Sequence, residues 1–120
     1  YGAQHPLVVV SATQNESPRN NAVIEAVVAG HCCESGDILT PSAGDPEALD
    51  PRTLHDANVG DYLVIEGSGA YCAGMSSKNY NSFPEAPEVL YRGSGREPVL
   101  IRKRQTLDQI VQNEVLHESQ

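Results

Sequence analysis

The chain has 120 residues, of which 39% are hydrophobic and 20% charged, so we expect one globular domain rather than a disordered segment. Its formal net charge of −8 disfavours binding to nucleic acid or to anionic lipid. No apolar run approaches the roughly 20 residues that a transmembrane helix needs. The chain begins at Tyr1 without a methionine, so we expect it to be part of a longer protein.

Short apolar runs rich in β-branched residues predict a mainly β fold, because Gly, Pro, Asn and Asp separate them. In chain order the runs are PLVVV, NAVIEAVVAG, DILT, DYLVIEG, EVLYRG and PVLIRK. In residues 22–28 of the second run only Glu25 is polar, which predicts a central strand covered on both faces in a sandwich or barrel.

Two segments between and after these runs have patterns of their own. Residues 41–58 contain three prolines and little apolar material, which predicts a surface excursion. Gly60 and Asp61 predict a turn before the next strand. Near the C-terminus, Thr106 and Gln109 have the spacing of a capping box in front of an apolar stripe, which predicts one short helix.

The three cysteines are an odd number without a secretory signal, which favours a reducing compartment such as the cytoplasm. Cys32 and Cys33 are adjacent, whereas structural zinc sites separate their cysteines by two to four residues, so we expect no metal. For Cys32 and Cys72 we expect packing. Cys33 differs because Glu34 and a tight turn follow it. A neighbouring carboxylate disfavours the thiolate, so this thiol suits proton donation.

The segment GSGAY, residues 67–71, is a second candidate binding feature. Gly67 and Gly69 allow backbone amides to approach an anion such as phosphate, and Tyr71 adds a hydroxyl donor. A glycine-rich strand end is more often a bulge or a turn than a binding site. Lys78 lies among polar residues, and without an apolar pocket to lower its pKa we do not expect it to form a Schiff base.

Seven motifs in order resemble one family. They are CESGD at 33–37, GDYLVI at 60–65, GAY at 69–71, MSS at 75–77, NYNS at 79–82, PEVL at 87–90 and IRKRQT at 101–106. Together they closely resemble the C-terminal part of the diaminopimelate decarboxylases, pyridoxal-phosphate enzymes that convert meso-diaminopimelate to L-lysine and carbon dioxide. The chain departs from the family pattern at His31, Cys32 and Cys72, and Lys78 is an extra residue before NYNS.

The resemblance implies an alanine-racemase-like enzyme, with an N-terminal β/α barrel followed by a β-rich domain. The β-rich domain would be a Greek-key-like barrel or sandwich with a short C-terminal helix. Residues 1–20 would be the lead-in from the barrel and residues 21–120 the C-terminal β-domain. The family also implies a homodimer in which the CESGD loop of one subunit reaches into the active site of the other.

The resemblance further implies roles for individual residues. Cys33 would donate a proton to the substrate carbon after carbon dioxide leaves, and Glu34 would bind the distal ammonium of the substrate. Tyr71 would contact the phosphate of pyridoxal 5′-phosphate and the substrate, and Tyr1 aligns with a substrate-binding tyrosine. The Schiff-base lysine lies outside these residues, so we expect the isolated chain to be inactive. The alternatives are a decarboxylase of another diamino acid and a non-catalytic regulatory or dimerisation module.

Overall fold

The computed structural model describes residues 2–12 and 22–117. Most of the regular structure in these residues is β, which confirms the predicted fold class. The strands are β1 (Leu7–Val10), β2 (Val23–Ala26), β3 (Pro41–Ser42), β4 (Asp45–Leu49), β5 (Arg52–His55), β6 (Tyr62–Ile65), β7 (Glu88–Leu90) and β8 (Val99–Arg102). A 3₁₀ turn spans Tyr80–Ser82 and a short helix, α1, spans Leu107–Ile110.

The chain divides into two compact units, Tyr1–Met75 and Ser76–Gln120. The first unit contains β1 to β6, and the second contains the 3₁₀ turn, β7, β8 and α1. The boundary predicted between residues 20 and 21 stays a prediction, because residues 13–21 lie outside the described part of the chain.

All strand pairs of the first unit are antiparallel. β1 pairs with β6, with Val8 opposite Val64, and β2 pairs with β5, with Ile24 opposite Leu54. β3 and β4 form a hairpin. Across residues 2–12 and 22–117 the strands form two-stranded ladders, and no closed barrel is present.

The prediction that β2 is a central strand is wrong for the described residues. β2 is hydrogen-bonded to β5 alone among them, and the side chains of Val23 and Ile24 are 56% and 39% exposed. The physical reason is that an apolar sequence pattern predicts which side chains are favoured out of water. It does not predict which part of the protein buries them.

The segment predicted as a surface excursion, residues 41–58, is mostly exposed, but it contains regular structure that was not predicted, because β3, β4 and β5 lie there. The prolines occupy positions that a short two-stranded ladder tolerates, since one edge of each strand needs no hydrogen-bond donor. Pro41 begins β3, and Pro51 lies between β4 and β5. Residues 52–55 alternate between half-buried and exposed, as in a strand with one covered face.

In the second unit β7 pairs with β8, with a bulge between Glu88 and Val89. The predicted capping box is confirmed. The Thr106 hydroxyl accepts from the Gln109 amide at 3.2 Å, and the Gln109 side chain accepts from the Thr106 amide at 2.9 Å. The helix is shorter than the apolar stripe and ends at Ile110.

Most apolar side chains of the described residues are half-buried or exposed. The residues that are fully buried among them are Thr40, at 0% exposed, and Pro41 at the start of β3. No helix in the same residues has both the length and the apolar character that crossing a membrane requires.

Candidate functional site

A short antiparallel stem carries the loop that contains the two adjacent cysteines. Ala29 and Ile38 form an isolated bridge, and the Gly30 amide donates to the Asp37 carbonyl oxygen at 2.8 Å. Residues 31–36 therefore form a loop whose two ends are held together by backbone hydrogen bonds. The position of the loop follows from these bonds, since a hairpin stem fixes where its connection begins and ends.

Thr40 fixes the base of this stem. The Leu39 amide donates to the Val28 carbonyl at 2.8 Å, and the Val28 amide donates to the Thr40 hydroxyl oxygen at 3.0 Å. The Asp50 amide donates to the Thr40 carbonyl at 3.0 Å, which ties the stem to the end of β4. Because Thr40 is fully buried, its hydroxyl is a structural acceptor and not a surface group.

Two consecutive tight turns shape the loop. The Glu34 amide donates to the Cys32 carbonyl at 2.8 Å, which is a γ-turn, and the Asp37 amide donates to the Glu34 carbonyl at 3.1 Å, which is a β-turn. Cys33 lies at the centre of the first turn, and the side chains of Cys33 and Glu34 are both exposed. The turns thus present a thiol and a carboxylate side by side.

The Glu34 carboxylate folds back onto its own turn. Its Oε1 accepts from the Gly36 amide at 2.9 Å and from the Ser35 hydroxyl at a long 3.5 Å. A carboxylate that accepts a backbone N–H loses part of its rotamer freedom before any ligand arrives. The side chain is therefore partly ordered within the loop itself.

Asp37 closes the loop from the other side. Its Oδ2 accepts from the Cys32 amide at 2.8 Å. The carboxylate lies against the backbone of Gly30, so closely that a Cβ at position 30 would stand 2.0 Å from Oδ2 and 2.2 Å from Cγ. Real Cβ atoms do not approach so closely, so only glycine fits at position 30 while Asp37 keeps this position.

Cys32 is half-buried beside the same carboxylate. Partial burial and the charge of Asp37 raise the pKa of the Cys32 thiol above its ordinary value of 9.0, and a hydrogen bond from the thiol to Asp37 acts in the same direction. This thiol therefore stays protonated at neutral pH and donates to Asp37. Of the two adjacent cysteines, Cys32 is half-buried and Cys33 is exposed.

Tyr71 lies on a separate turn of the first unit, after the end of β6. Its φ of +71° is in the left-handed region, and its side chain is 77% exposed. The Met75 amide donates to the Tyr71 carbonyl at 2.8 Å, which holds the turn. Non-glycine residues rarely adopt this conformation, and they do so mostly where the surrounding structure imposes it.

Comparison with known proteins identifies the chain. A family model described as "Pyridoxal-dependent decarboxylase, C-terminal sheet domain" matches residues 1–69. The chain belongs to this family. The family resemblance predicted from the seven motifs is therefore confirmed.

Curated relatives of this sheet domain carry the name diaminopimelate decarboxylase. The protein from Escherichia coli strain K12 is 43% identical over 117 residues, which is 97% of this chain and 26% of the relative. The protein from Streptomyces coelicolor is 43% identical over 117 residues, or 96% of this chain and 24% of the relative. The chain thus spans about a quarter of the length of the curated relatives that it matches.

Solved structures agree with the sequence matches. A crystal structure of diaminopimelate decarboxylase aligns with a TM-score of 0.80 and 42% identity, over 98% of this chain and 27% of that one. The M. jannaschii diaminopimelate decarboxylase in complex with L-lysine aligns with a TM-score of 0.72 and 28% identity, over 98% of this chain and 23% of that one.

The structure brings only some of the predicted site residues of the sheet domain together. Cys33 and Glu34 share one loop, whereas Tyr71 lies on a different turn of the same unit. Tyr1 lies outside the described residues. No group of three or more His, Cys, Asp or Glu side chains in residues 2–12 and 22–117 is arranged to hold a metal ion.

Lys78 belongs to an ion-pair group in the second unit. Its Nζ is 3.0 Å from Glu85 Oε1, and Arg102 Nη1 is 3.1 Å from the same oxygen. The hydrogen bond from Lys78, with the charges of both cations, lowers the pKa of the Glu85 carboxyl below its ordinary value, against the opposing effect of partial burial. The ammonium is thus engaged in a structural contact.

Sequence reasoning gave no role to Asp37 or Gly30. Asp37 was part of the CESGD motif, and Gly30 precedes the loop, but neither residue type is informative alone. The signal that could have identified them is the pairing of a glycine on one side of a turn with an aspartate on the other. Such a pairing is typical of a place where a side chain approaches backbone closely.

Proposed function

We propose that the chain is the C-terminal domain of a pyridoxal-phosphate-dependent diaminopimelate decarboxylase, which forms L-lysine and carbon dioxide from meso-diaminopimelate. The exposed Cys33–Glu34 pair on its hydrogen-bonded loop carries the proposal, because it offers a proton donor and an anionic binding group from adjacent positions. The names of relatives that are 43% identical over nearly the whole chain support this substrate over another diamino acid and over a non-catalytic module.

The residues present suit one edge of a pyridoxal 5′-phosphate site. The Tyr71 phenol is exposed, and its hydroxyl can donate a hydrogen bond to a phosphate oxygen. Apart from its chain neighbours, no atom of the described residues lies within 4 Å of the position that a Cβ at Gly69 would take, so a ligand can approach the backbone there. We assign to Tyr71 contact with the phosphate and with the substrate. When bound, the cofactor supplies the electron sink for decarboxylation, and the protein supplies orientation and proton delivery.

Cys33 performs the proton transfer in this proposal. After carbon dioxide leaves, the S–H bond of Cys33 breaks as the new C–H bond forms on the substrate carbon, and the thiolate is then reprotonated from water. Glu34 binds the distal ammonium of the substrate through a charge-assisted hydrogen bond, which fixes which end of the diamino acid faces Cys33. Tyr1 is assigned to substrate binding by resemblance.

We further propose a cytoplasmic homodimer in which the Cys33–Glu34 loop completes the active site of the partner subunit. Exposure of both side chains in their own domain is what such an arrangement needs. Exposed apolar side chains on the strands, such as Val23 on β2 and Val64 on β6, are consistent with sheets that other parts of a larger assembly cover.

The test is steady-state decarboxylation by the full-length enzyme. Cys33→Ala should lower kcat by about 100-fold or more, the usual contribution of a positioned general acid. Cys72→Ala is the matched control, because Cys72 is exposed, contrary to the packing expected from the sequence, and has no role in the proposal. Near-normal turnover by the Cys33 variant would remove the proton-donor role.

Two further measurements test the substrate. Glu34→Gln should raise KM for diaminopimelate more than it lowers kcat, since the charge at position 34 contributes to binding. Turnover of meso-diaminopimelate should exceed that of ornithine by the wild-type enzyme. Faster turnover of ornithine would favour a decarboxylase of another diamino acid, and a folded full-length protein with no turnover would favour a non-catalytic module.

A further inference from the structure

We propose that Asp37 is the positioning residue of the proton-donor loop, holding Cys33 and Glu34 in place through its hydrogen bond to the Cys32 amide. The effect of Asp37 on catalysis rests on the proposed function. Asp37 touches neither substrate nor cofactor in this proposal and acts only through the loop.

The first argument is the geometry of the closure. Asp37 Oδ2 accepts from the Cys32 amide at 2.8 Å, five residues back along the chain and directly before Cys33. At the same time the Asp37 backbone closes both the stem, by accepting from Gly30, and the β-turn, by donating to the Glu34 carbonyl. One residue thus holds the loop at its entrance and at its second turn.

The second argument is independent and comes from Gly30. The Asp37 carboxylate occupies the volume that any side chain at position 30 would need, with three of its atoms between 2.0 and 2.2 Å from an ideal Cβ. The φ of Gly30 is not in the left-handed region, so its backbone conformation does not demand glycine. The requirement is for space, and the group that fills this space is the Asp37 carboxylate.

The third argument concerns what would happen without this carboxylate. The Cys32 amide would lose its acceptor, so the γ-turn that carries Cys33 would lose one of the hydrogen bonds that fix it. A proton donor must lie within hydrogen-bond reach of the carbon that it protonates, so small displacements of the loop reduce the rate steeply. Displacement of Glu34 would weaken substrate binding as well.

The kinetic experiment uses the full-length enzyme with Asp37→Ala, Asp37→Asn and Gly30→Ala. Asp37→Ala and Gly30→Ala should each lower kcat/KM by on the order of ten- to hundred-fold, the range of a charge-assisted hydrogen bond. Both should also raise KM and increase the solvent deuterium isotope effect on kcat, because proton transfer from a displaced donor becomes slower. Asp37→Asn keeps an acceptor oxygen and should restore part of the activity.

The matched control is Asp45→Ala. Asp45 Oδ1 accepts from the Glu47 amide at 3.2 Å, so it makes the same type of bond within the β3–β4 hairpin. This variant should leave KM and the isotope effect unchanged. If Asp37 only stabilised the fold, Asp37→Ala would lower the amount of active enzyme and hence the apparent kcat. KM and the isotope effect would then keep their wild-type values, and that result would overturn the positioning role.

Hydrogen exchange separates this inference from the proposed function, since it needs no substrate. In the full-length protein, Asp37→Ala should accelerate exchange of the amides of residues 32–36 and leave those of the β1–β6 ladder unchanged. Accelerated exchange supports the hydrogen bond whatever the substrate is, and unchanged exchange overturns it. Absence of decarboxylation by the wild-type enzyme would instead overturn the proposed function and, with it, the catalytic meaning of Asp37.

Discussion

The hydroxyl of Thr40 offers the sharpest test of how the candidate loop is supported. Thr40→Val replaces the hydroxyl by a methyl group of nearly the same shape at a site that is 0% exposed. The Val28 amide, which donates to this hydroxyl at 3.0 Å, then has no acceptor in the stem. A partly buried donor left unpaired costs about 1–3 kcal/mol, so opening of the stem should become easier by that amount.

The assay is residue-resolved hydrogen exchange on the full-length protein. Where exchange follows local opening of the stem, a cost of about 1–3 kcal/mol makes the Val28 amide exchange roughly 5- to 150-fold faster. The stem amide of Leu39, which donates to the Val28 carbonyl, should accelerate with it. Amides of the second unit should not change.

Thr40→Ser is the matched control, because it keeps the acceptor and removes only one methyl group. Loss of a buried methyl costs about 0.8 kcal/mol, so the Val28 amide should exchange only about fourfold faster. If Thr40→Val exchanges at the wild-type rate, or if the serine variant exchanges as fast as the valine variant, the hydroxyl does not support the stem.

Three further predictions concern the rest of the chain. Thr106→Ala should destabilise α1 by about 0.5–2 kcal/mol and accelerate exchange of the Gln109 amide, whereas Thr106→Ser should not. The pKa of the Glu85 carboxyl is lower in the folded protein than its ordinary value of 4.5. The ionised carboxylate therefore stabilises the second unit fully above pH 4.5, and this stabilisation is lost as the pH falls through the folded pKa. Lys78→Met removes the largest cause of the lowered Glu85 pKa, so the denaturation midpoint should become less sensitive to pH in this range. An unchanged pH sensitivity would contradict the contribution of Lys78. The isolated 120-residue chain should bind a hydrophobic dye and lack a cooperative thermal transition, since Pro41 is the one apolar residue that is fully buried among the described residues; a sharp transition would refute this expectation.

The predictions that succeeded depend on local chemistry. A run such as LVVV forms β1 because β-branched side chains fit an extended backbone, and the Thr106–Gln109 capping box satisfies amides within three residues of each other. The predictions that failed depend on partners. Residues 52–55 become β5 because they pair with β2, and nothing in the sequence RTLH specifies that pairing.

The predictions for the candidate site also divide into local features, which the sequence specifies, and contacts between residues further apart in the chain, which it does not. The adjacency of Cys33 and Glu34 and the turn after them could be predicted because Ser, Gly and Asp are turn residues. The roles of Gly30 and Asp37 could not, because their contact exists only once the bridge between Ala29 and Ile38 sets the register of the stem. The left-handed backbone of Tyr71 is also imposed by its turn, since tyrosine has no preference for that conformation.

Hydrogen bonds fix the order of the loop within the described residues. The groups that fix it are backbone amides, two carboxylates and the hydroxyl of Thr40, all between residues 28 and 40. Polar bonds of this kind are directional, so they specify the positions of Cys33 and Glu34 more sharply than contact between apolar side chains could. It follows that loss of apolar contacts on the exposed strand faces should affect stability or assembly first, whereas loss of a single hydrogen bond within residues 28–40 should affect the chemistry first.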